Sequence, residues 1–433
     1  MPESEGVNIP VQAGYGSLIR IWEWLFLGWI AAIPVMIWFN VRFAGRYTLP
    51  FADFLFVGAA AVWLACLLCG ASRLRWSGWY FSLLAYSGAL ILSTIASQNI
   101  RHSAPKLAGD LYLIGAALMT FNYVSTWTSL RRALLAWIAG VALTILGCAA
   151  GLALFVGGKT TIRQNPFLFH FGTLPQGHYP RLRAMFLDAN MMCSYVVAGV
   201  MVIVAARRAG WISRRVFIVL LSGGIAAAIS SLSPVLGGLF LVLALWRAHT
   251  DARGTRVMVT AGILVALLFL AASMVSPATL VKTSLVETIL HPEPSSRLLT
   301  WADAWRTFLA HPWHGSGTES EAAHVQYLSA SGYLQSLTSA HNTWLSILAH
   351  QGLPGFAAFS WVVFYLVRRF RLSGPIVDRD AGVRVSLELA MIGGLLYASL
   401  LGSFENTRHV WALMGIVAAV QEFPSSPTAL RAD

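Results

Sequence analysis

Twelve long apolar runs decide what this chain can fold into. They fall near Trp24–Phe39, Phe51–Cys69, Gly78–Ser97, Leu111–Trp127, Ala133–Val156, Phe186–Ala206, Val216–Ile229, Val235–Leu245, Val257–Val275, Thr343–Val367, Leu387–Leu401 and Val410–Val420. One bilayer crossing takes about 20 largely apolar residues. The runs therefore predict an all-α polytopic membrane protein, a single integral membrane domain over 1–433 with about 12 transmembrane helices. Only 11% of the residues are charged, against about a quarter in soluble domains, which excludes a water-soluble enzyme. Two interruptions carry information. Pro234 closes the stretch Ser230–Pro234 and predicts a turn between two short helices. The Gly352–Leu353–Pro354–Gly355 break splits the tenth segment, as happens where irregular backbone lines a cavity.

The chain holds 30 Lys and Arg against 18 Asp and Glu, a net charge of +12. Nucleic acid is one partner for such a surplus; membrane topology is another, because cytoplasmic loops collect cations. With the N-terminus inside, 18 of the 30 cations crowd onto the short inside segments. Both termini are thus expected in the cytoplasm, with membrane lipids and no nucleic acid as partners. Residues 1–16 are polar with two glutamates and lack the basic start of a cleavable signal. Cys66, Cys69, Cys148 and Cys193 all lie in apolar runs, where cysteine packs as a small apolar residue.

This topology leaves two long loops on the outer, periplasmic face, over residues 157–183 and 276–340. Connections beyond about 12–15 residues are usually functional or disordered. The second loop contains Ser296–Ala310, in which Leu298, Trp301, Trp305 and Leu309 recur at helical spacing. It reads as an amphipathic helix lying on the membrane surface or capping a cavity. Several of the 17 tryptophans sit at span ends, where aromatic belts form.

Arg163, Arg181, Arg183 and Arg297 lie outside, against the sorting rule. A guanidinium forks onto phosphate oxygens, and both lipid headgroups and lipid-linked diphosphates offer such anions. His341 opens an apolar helix directly after the long loop. An imidazole there fits either an interfacial cap or a base that takes a proton from a hydroxyl. His170, His178, His291, His311, His314 and His324 lack the short spacing of a structural metal site, and no metal is expected.

The run from His341 to Gly355 resembles the signature of the O-antigen ligase and Wzy-type polysaccharide polymerase superfamily, where His-Asn opens a helix that ends in a Gly-x-x-Gly break. Ser296–Arg297, Trp301, Ala304, His311–Pro312–Trp313 and Gly315–Ser316–Gly317 look like that family's Ser-Arg, Trp and His-Pro-x-x-Gly-x-Gly run. Arg181, Phe186, Asp188 and Asn190 resemble its Arg-x-x-Gly-x-Phe-x-x-Pro-Asn entry to the sixth span. Ala184 and Ala189 stand where the family usually has Gly and Pro. Ser233–Pro234–Val235 stands where many members carry Ser-Arg-Gly, so one arginine of the family's substrate clamp is missing.

The resemblance implies a metal-independent, inverting glycosyltransferase without a cofactor, acting at the periplasmic face of the bacterial inner membrane. It would move a glycan from an undecaprenyl-diphosphate carrier to an acceptor hydroxyl, with His341 as base. Arg297, Arg181 and Arg183 would bind the diphosphate, with Asn342, Asn190 and Trp301 in support. The reaction expected is polymerisation of repeat units into exopolysaccharide, of the xanthan type. Transfer onto the lipid A core is the alternative, and a lipid-linked glycan flippase or transporter a third reading. A chain-length regulator and a separate flippase are the partners the family implies. Against transport, Glu23, Asp53, Asp110, Asp188 and Glu388 are all expected at or near span ends.

Overall fold

Backbone groups without water must pair within their own segment, so long apolar runs fold as helices. The computed structural model describes residues 16–37, 41–43, 47–97, 100–170, 180–231, 233, 236–250, 296–318, 325–328, 334–337, 340–370, 378–400 and 407–423. Among them are twelve helices: α1 Gly16–Ala32, α2 Phe51–Leu68, α3 Trp79–Ile95, α4 Ile100–Tyr123, α5 Trp127–Val156, α6 Ala189–Arg208, α7 Arg214–Ser230, α8 Leu236–Thr250, α9 Ser296–Ala310, α10 Thr343–Val367, α11 Arg379–Leu400 and α12 Arg408–Gln421. Three antiparallel hairpins join them, β1 Val41–Phe43 with β2 Tyr47–Leu49, β3 Leu168–His170 with β4 Arg181–Leu182, and β5 Val325–Leu328 with β6 Leu334–Leu337.

Five of the described helices are long and apolar enough to cross a membrane: α2, α5, α6, α10 and α11. α1, α3 and α7 stop at 17 residues. α4 runs for 24 but carries Arg101, Lys106 and Asp110. The run Val257–Val275 lies outside the described residues, as do both termini, most of the 276–340 loop and residues 171–179 of the first loop.

The core sits on α6. Every residue from Met191 to Ala206 is buried, which marks a helix wrapped on all sides by others. α5, α7 and α11 pack around it, and Trp137 of α5 stacks on Tyr195 of α6 at 5.5 Å. The tryptophans divide. Trp24 and Trp76 are exposed, whereas Trp29, Trp79, Trp137 and Trp411 are fully buried, so an interfacial belt accounts for only some of them.

Polar contacts separate the bundle into two ends. At one, Arg75 pairs with Glu422, Arg132 with Glu23, and Arg384 donates to Phe423 O; these belong to segments expected inside. At the other, Arg408 of α12 reaches Asp53 at the start of α2, and Thr94 near the end of α3 meets Thr318. Two acidic positions differ from expectation. Glu388 is the tenth of 22 residues of α11, and Asp110 the eleventh of 24 in α4; both are buried. Both helices begin several residues before the apolar runs do; the added residues of α11 are mostly buried, whereas those of α4 are mostly exposed. The placement of these two acids at span ends, offered against transport, does not hold.

Candidate functional site

Arg181 leaves the β3–β4 hairpin just before α6, at the second of these ends. Its Nε donates to Ser231 O at 2.9 Å and its Nη2 to Asn190 Oδ1 at 2.7 Å. The guanidinium lies 5.2 Å from the centroid of the Phe169 ring. Ser233 Oγ donates to the same Asn190 oxygen at 2.8 Å. Asp188 caps α6, its carboxylate accepting from Asn190 N and Met191 N. The turn that lacks the family's arginine is thus knitted to Arg181 by Ser231 and Ser233. In the sequence both serines stood out only as parts of the turn before α8, with no contact to Arg181 or Asn190 expected, since a serine in a turn reads as a turn residue.

Arg183 is placed differently. It donates to Pro166 O at 3.2 Å and to Leu187 O at 3.3 Å, holding the hairpin to the entry of α6. Burial pushes its guanidinium below the usual value, with the Asp188 carboxylate opposing.

His341 is exposed and has φ 49°, a left-handed backbone that non-glycine residues adopt at some cost and that clusters at functional sites. Asn342 follows as the cap of α10, its Oδ1 accepting from Trp344 N at 3.0 Å and Leu345 N at 3.2 Å. Its local work is therefore to start the helix. Trp344 Nε1 donates to Ser399 Oγ at 2.7 Å, fixing this start against the end of α11.

α9 is a helix where the periodicity placed one, but it docks on α10. Trp301 Nε1 donates to Ala340 O at 2.9 Å, and Ala304 packs with Ala340 and Ala349 in a small apolar cluster bordered by Trp301 and Leu345. Trp305 and Leu309 remain exposed. Arg297 is the second residue of α9, one turn before Trp301.

The other end of α9 is locked to the break in α10. Pro354 has no N–H for the carbonyl of His350 one turn earlier; Gly317 N and Ser93 Oγ supply donors instead, at 3.1 and 2.6 Å. Gly352 has φ 67° and ψ −163°, which turns Leu353 N onto Pro312 O at 2.8 Å. Ala349 O, which that amide would otherwise reach, accepts from Ser316 N at 2.9 Å. The contact is backbone on backbone. A β-carbon at Gly315 would lie 2.1 Å from His350 C, and one at Gly352 would lie 2.6 Å from Pro312 O. The His-Pro-x-x-Gly-x-Gly run and the Gly-x-x-Gly break are two sides of one junction.

Two residues at this end escaped the sequence reading. Arg408 grips Asp53 through Nε and Nη2 at 2.8 and 2.7 Å, with Tyr112 donating to the same carboxylate. His409 Nε2 shares a 2.9 Å hydrogen bond with Ser194 Oγ, one turn along α6 from Asn190. The signal was present for Arg408, an arginine the topology expects on the outer side. Among the described residues no cluster of three His, Cys, Asp or Glu is arranged to hold a metal ion.

Residues 193–360 match the family model described as O-antigen ligase. No curated protein matches the chain. The matched stretch contains Arg297 and His341 and begins after Arg181.

Proposed function

Residues 193–360 of this chain belong to the O-antigen ligase family, and from that premise we propose a membrane glycosyltransferase that polymerises undecaprenyl-diphosphate-linked repeat units for exopolysaccharide at the outer face of the bacterial inner membrane. The observation carrying this reading is the docking of α9 on α10. It ties the helix of Arg297 to the residue before His341 through Trp301 and Ala340, which supports assigning to Arg297 the role of diphosphate ligand and to His341 that of base in one site.

The acceptor hydroxyl gives its proton to His341 as its oxygen attacks the anomeric carbon. The bond from that carbon to the diphosphate oxygen breaks, the configuration inverts, and undecaprenyl diphosphate leaves. Arg297 and Arg181 stabilise the charge that grows on the leaving group. Arg181 is held in one orientation by Asn190, Ser231 and Phe169, so it is pre-organised for an anion. Arg183 helps to hold the hairpin that presents it. The donor already contains its leaving group, so no metal or cofactor enters this scheme. A chain-length regulator and a flippase are its proposed partners.

The family's description favours a second reading, ligation of a finished chain onto the lipid A core. Purified protein in proteoliposomes, given a lipid-linked oligosaccharide alone, should yield polymer with stoichiometric release of undecaprenyl diphosphate. Product only when lipid A core is added would select ligation. No diphosphate release with either acceptor would overturn the enzyme.

A further inference from the structure

At the end of the bundle opposite Arg181, the C-termini of α6 and α8 and the start of α7 enclose a pocket of about 450 Å³ lined by Val204, Arg207, Arg208, Gly210, Phe217 and Trp246. Val204 to Arg208 stand 14 to 18 residues beyond Asn190 on α6, so the pocket lies about 21–27 Å along that helix from Asn190, close to the thickness of a bilayer core. It is too far away to belong to the site described above.

The chemistry of the lining is amphipathic. Val204, Phe217 and Trp246 give an apolar floor, and Arg207 and Arg208 are exposed at its rim. Among the described residues no carboxylate meets these charges: Arg207 Nη1 reaches Ile212 O at 3.5 Å, and Arg208 lies 5.0 Å from the Trp246 ring centroid. Residues 189–250 contain no Asp or Glu, so α6, α7 and α8 offer these arginines no carboxylate. Topology sorting asks for cations at this end but does not ask for a cavity beside them.

We propose that this pocket is a binding site for the headgroup of an anionic phospholipid. The two guanidiniums bind the phosphate, and Trp246 and Phe217 receive the glycerol and the first methylenes. Trp246 places the site at the membrane interface, where tryptophan concentrates, and basic pockets between transmembrane helices bind such headgroups.

The test uses the full-length protein in nanodiscs of phosphatidylethanolamine with or without phosphatidylglycerol. Retained lipid is counted by native mass spectrometry, and thermal unfolding is followed in parallel. Phosphatidylglycerol should be retained and should raise the unfolding temperature. Arg207→Gln with Arg208→Gln should lower retention about tenfold or more, the scale of losing two cation–headgroup contacts. Trp246→Leu, which keeps both charges, should lower it less. Arg214→Gln with Arg215→Gln changes two exposed arginines outside the pocket and should leave retention unchanged. Equal losses from the two arginine pairs would overturn the proposal in favour of diffuse surface charge. So would equal stabilisation by inorganic phosphate, which would make the site one for free anions. Glycan transfer is measured in other assays, so failure here leaves the proposed reaction standing.

Discussion

The indole Nε1 of Trp301 donates to the carbonyl of Ala340 at 2.9 Å, so one hydrogen bond joins the helix that begins at Ser296–Arg297 to the residue before His341. Ala340 is fully buried, and no water replaces the bond when it is lost. Trp301→Phe keeps the ring and removes the donor. An unpaired buried carbonyl costs about 1–3 kcal/mol, so thermal unfolding should move down while helix content by circular dichroism stays constant. Because α9 and α10 then meet less firmly, glycan transfer should fall several-fold in the proteoliposome assay. Wild-type transfer from Trp301→Phe would detach this contact from function.

Replacing the proposed chemical groups should act differently, removing transfer without loosening the bundle. His341→Ala should lower it by about 10²–10⁴, the range for a general base, and Arg297→Ala by about 10²–10³. Lipid-linked donor should accumulate in cells while protein level holds. Arg297→Lys discriminates further, since lysine keeps the charge and loses the fork. Full activity in that variant would point to plain headgroup attraction.

What could be read in advance follows from which interactions have a period. The helices announced themselves because apolar spacing is local, and α10 has the bounds of its apolar run. The break at Gly352 was legible because glycine and proline punctuate any helix. Its partner was not, because the hydrogen bond from Gly317 N to the His350 carbonyl joins residues whose sequence gives no hint of a shared surface. The buried acids were missed for a related reason. Asp110 and Glu388 lie within helices that open with polar residues, so hydropathy starts those helices too late. The expected topology puts Arg408 outside, but its choice of Asp53, 355 residues away, is a tertiary fact.

The junction at Gly352 predicts a severe effect from a small change. An alanine there must hold a left-handed φ, about 1–2 kcal/mol, and push back the Pro312 carbonyl, a further 1–3 kcal/mol or so as overpacking. Gly352→Ala should reduce the folded yield and lower the unfolding temperature. Gly355→Ala, at a residue without a positive φ, crowds the Gln351 Cβ one turn earlier but adds no backbone strain, and should destabilise less than Gly352→Ala. Equal effects from the two would remove the special role of the backbone junction.

Arg408 and Asp53 are both buried, with side-chain exposures of 13% and 9%. Removing one partner of such a pair strands the other, at about 3–5 kcal/mol, whereas replacing both with apolar groups is often neutral. Asp53→Ala should therefore destabilise the protein strongly. Arg408→Met added to Asp53→Ala should restore part of the loss, as measured by thermal unfolding in detergent. An additive double variant would mean that the two side chains do not act as a pair.

Ala184 stands where the resemblance to the family implies a glycine. Its φ is 46°, a conformation glycine adopts without penalty. Its methyl group is accommodated by Gly147 of α5, where a β-carbon would sit 3.1 Å from Ala184 Cβ. The two positions are thus coupled through one small volume. Ala184→Gly relieves about 1–2 kcal/mol of backbone cost but gives up a buried methyl worth about 0.8 kcal/mol and some 0.4–1 kcal/mol of restriction on the unfolded chain. Its net effect on unfolding should lie near zero. Gly147→Ala gains helix propensity of about 1 kcal/mol, yet in the natural chain it forces two methyl groups together and should destabilise. With Ala184→Gly present, the space is free and Gly147→Ala should become neutral or stabilising. Neighbours in contact show interaction energies of about 0.5–3 kcal/mol in a double-mutant cycle, and that non-additivity is the expected measurement; additive free energies would mean that the space is shared by other side chains instead.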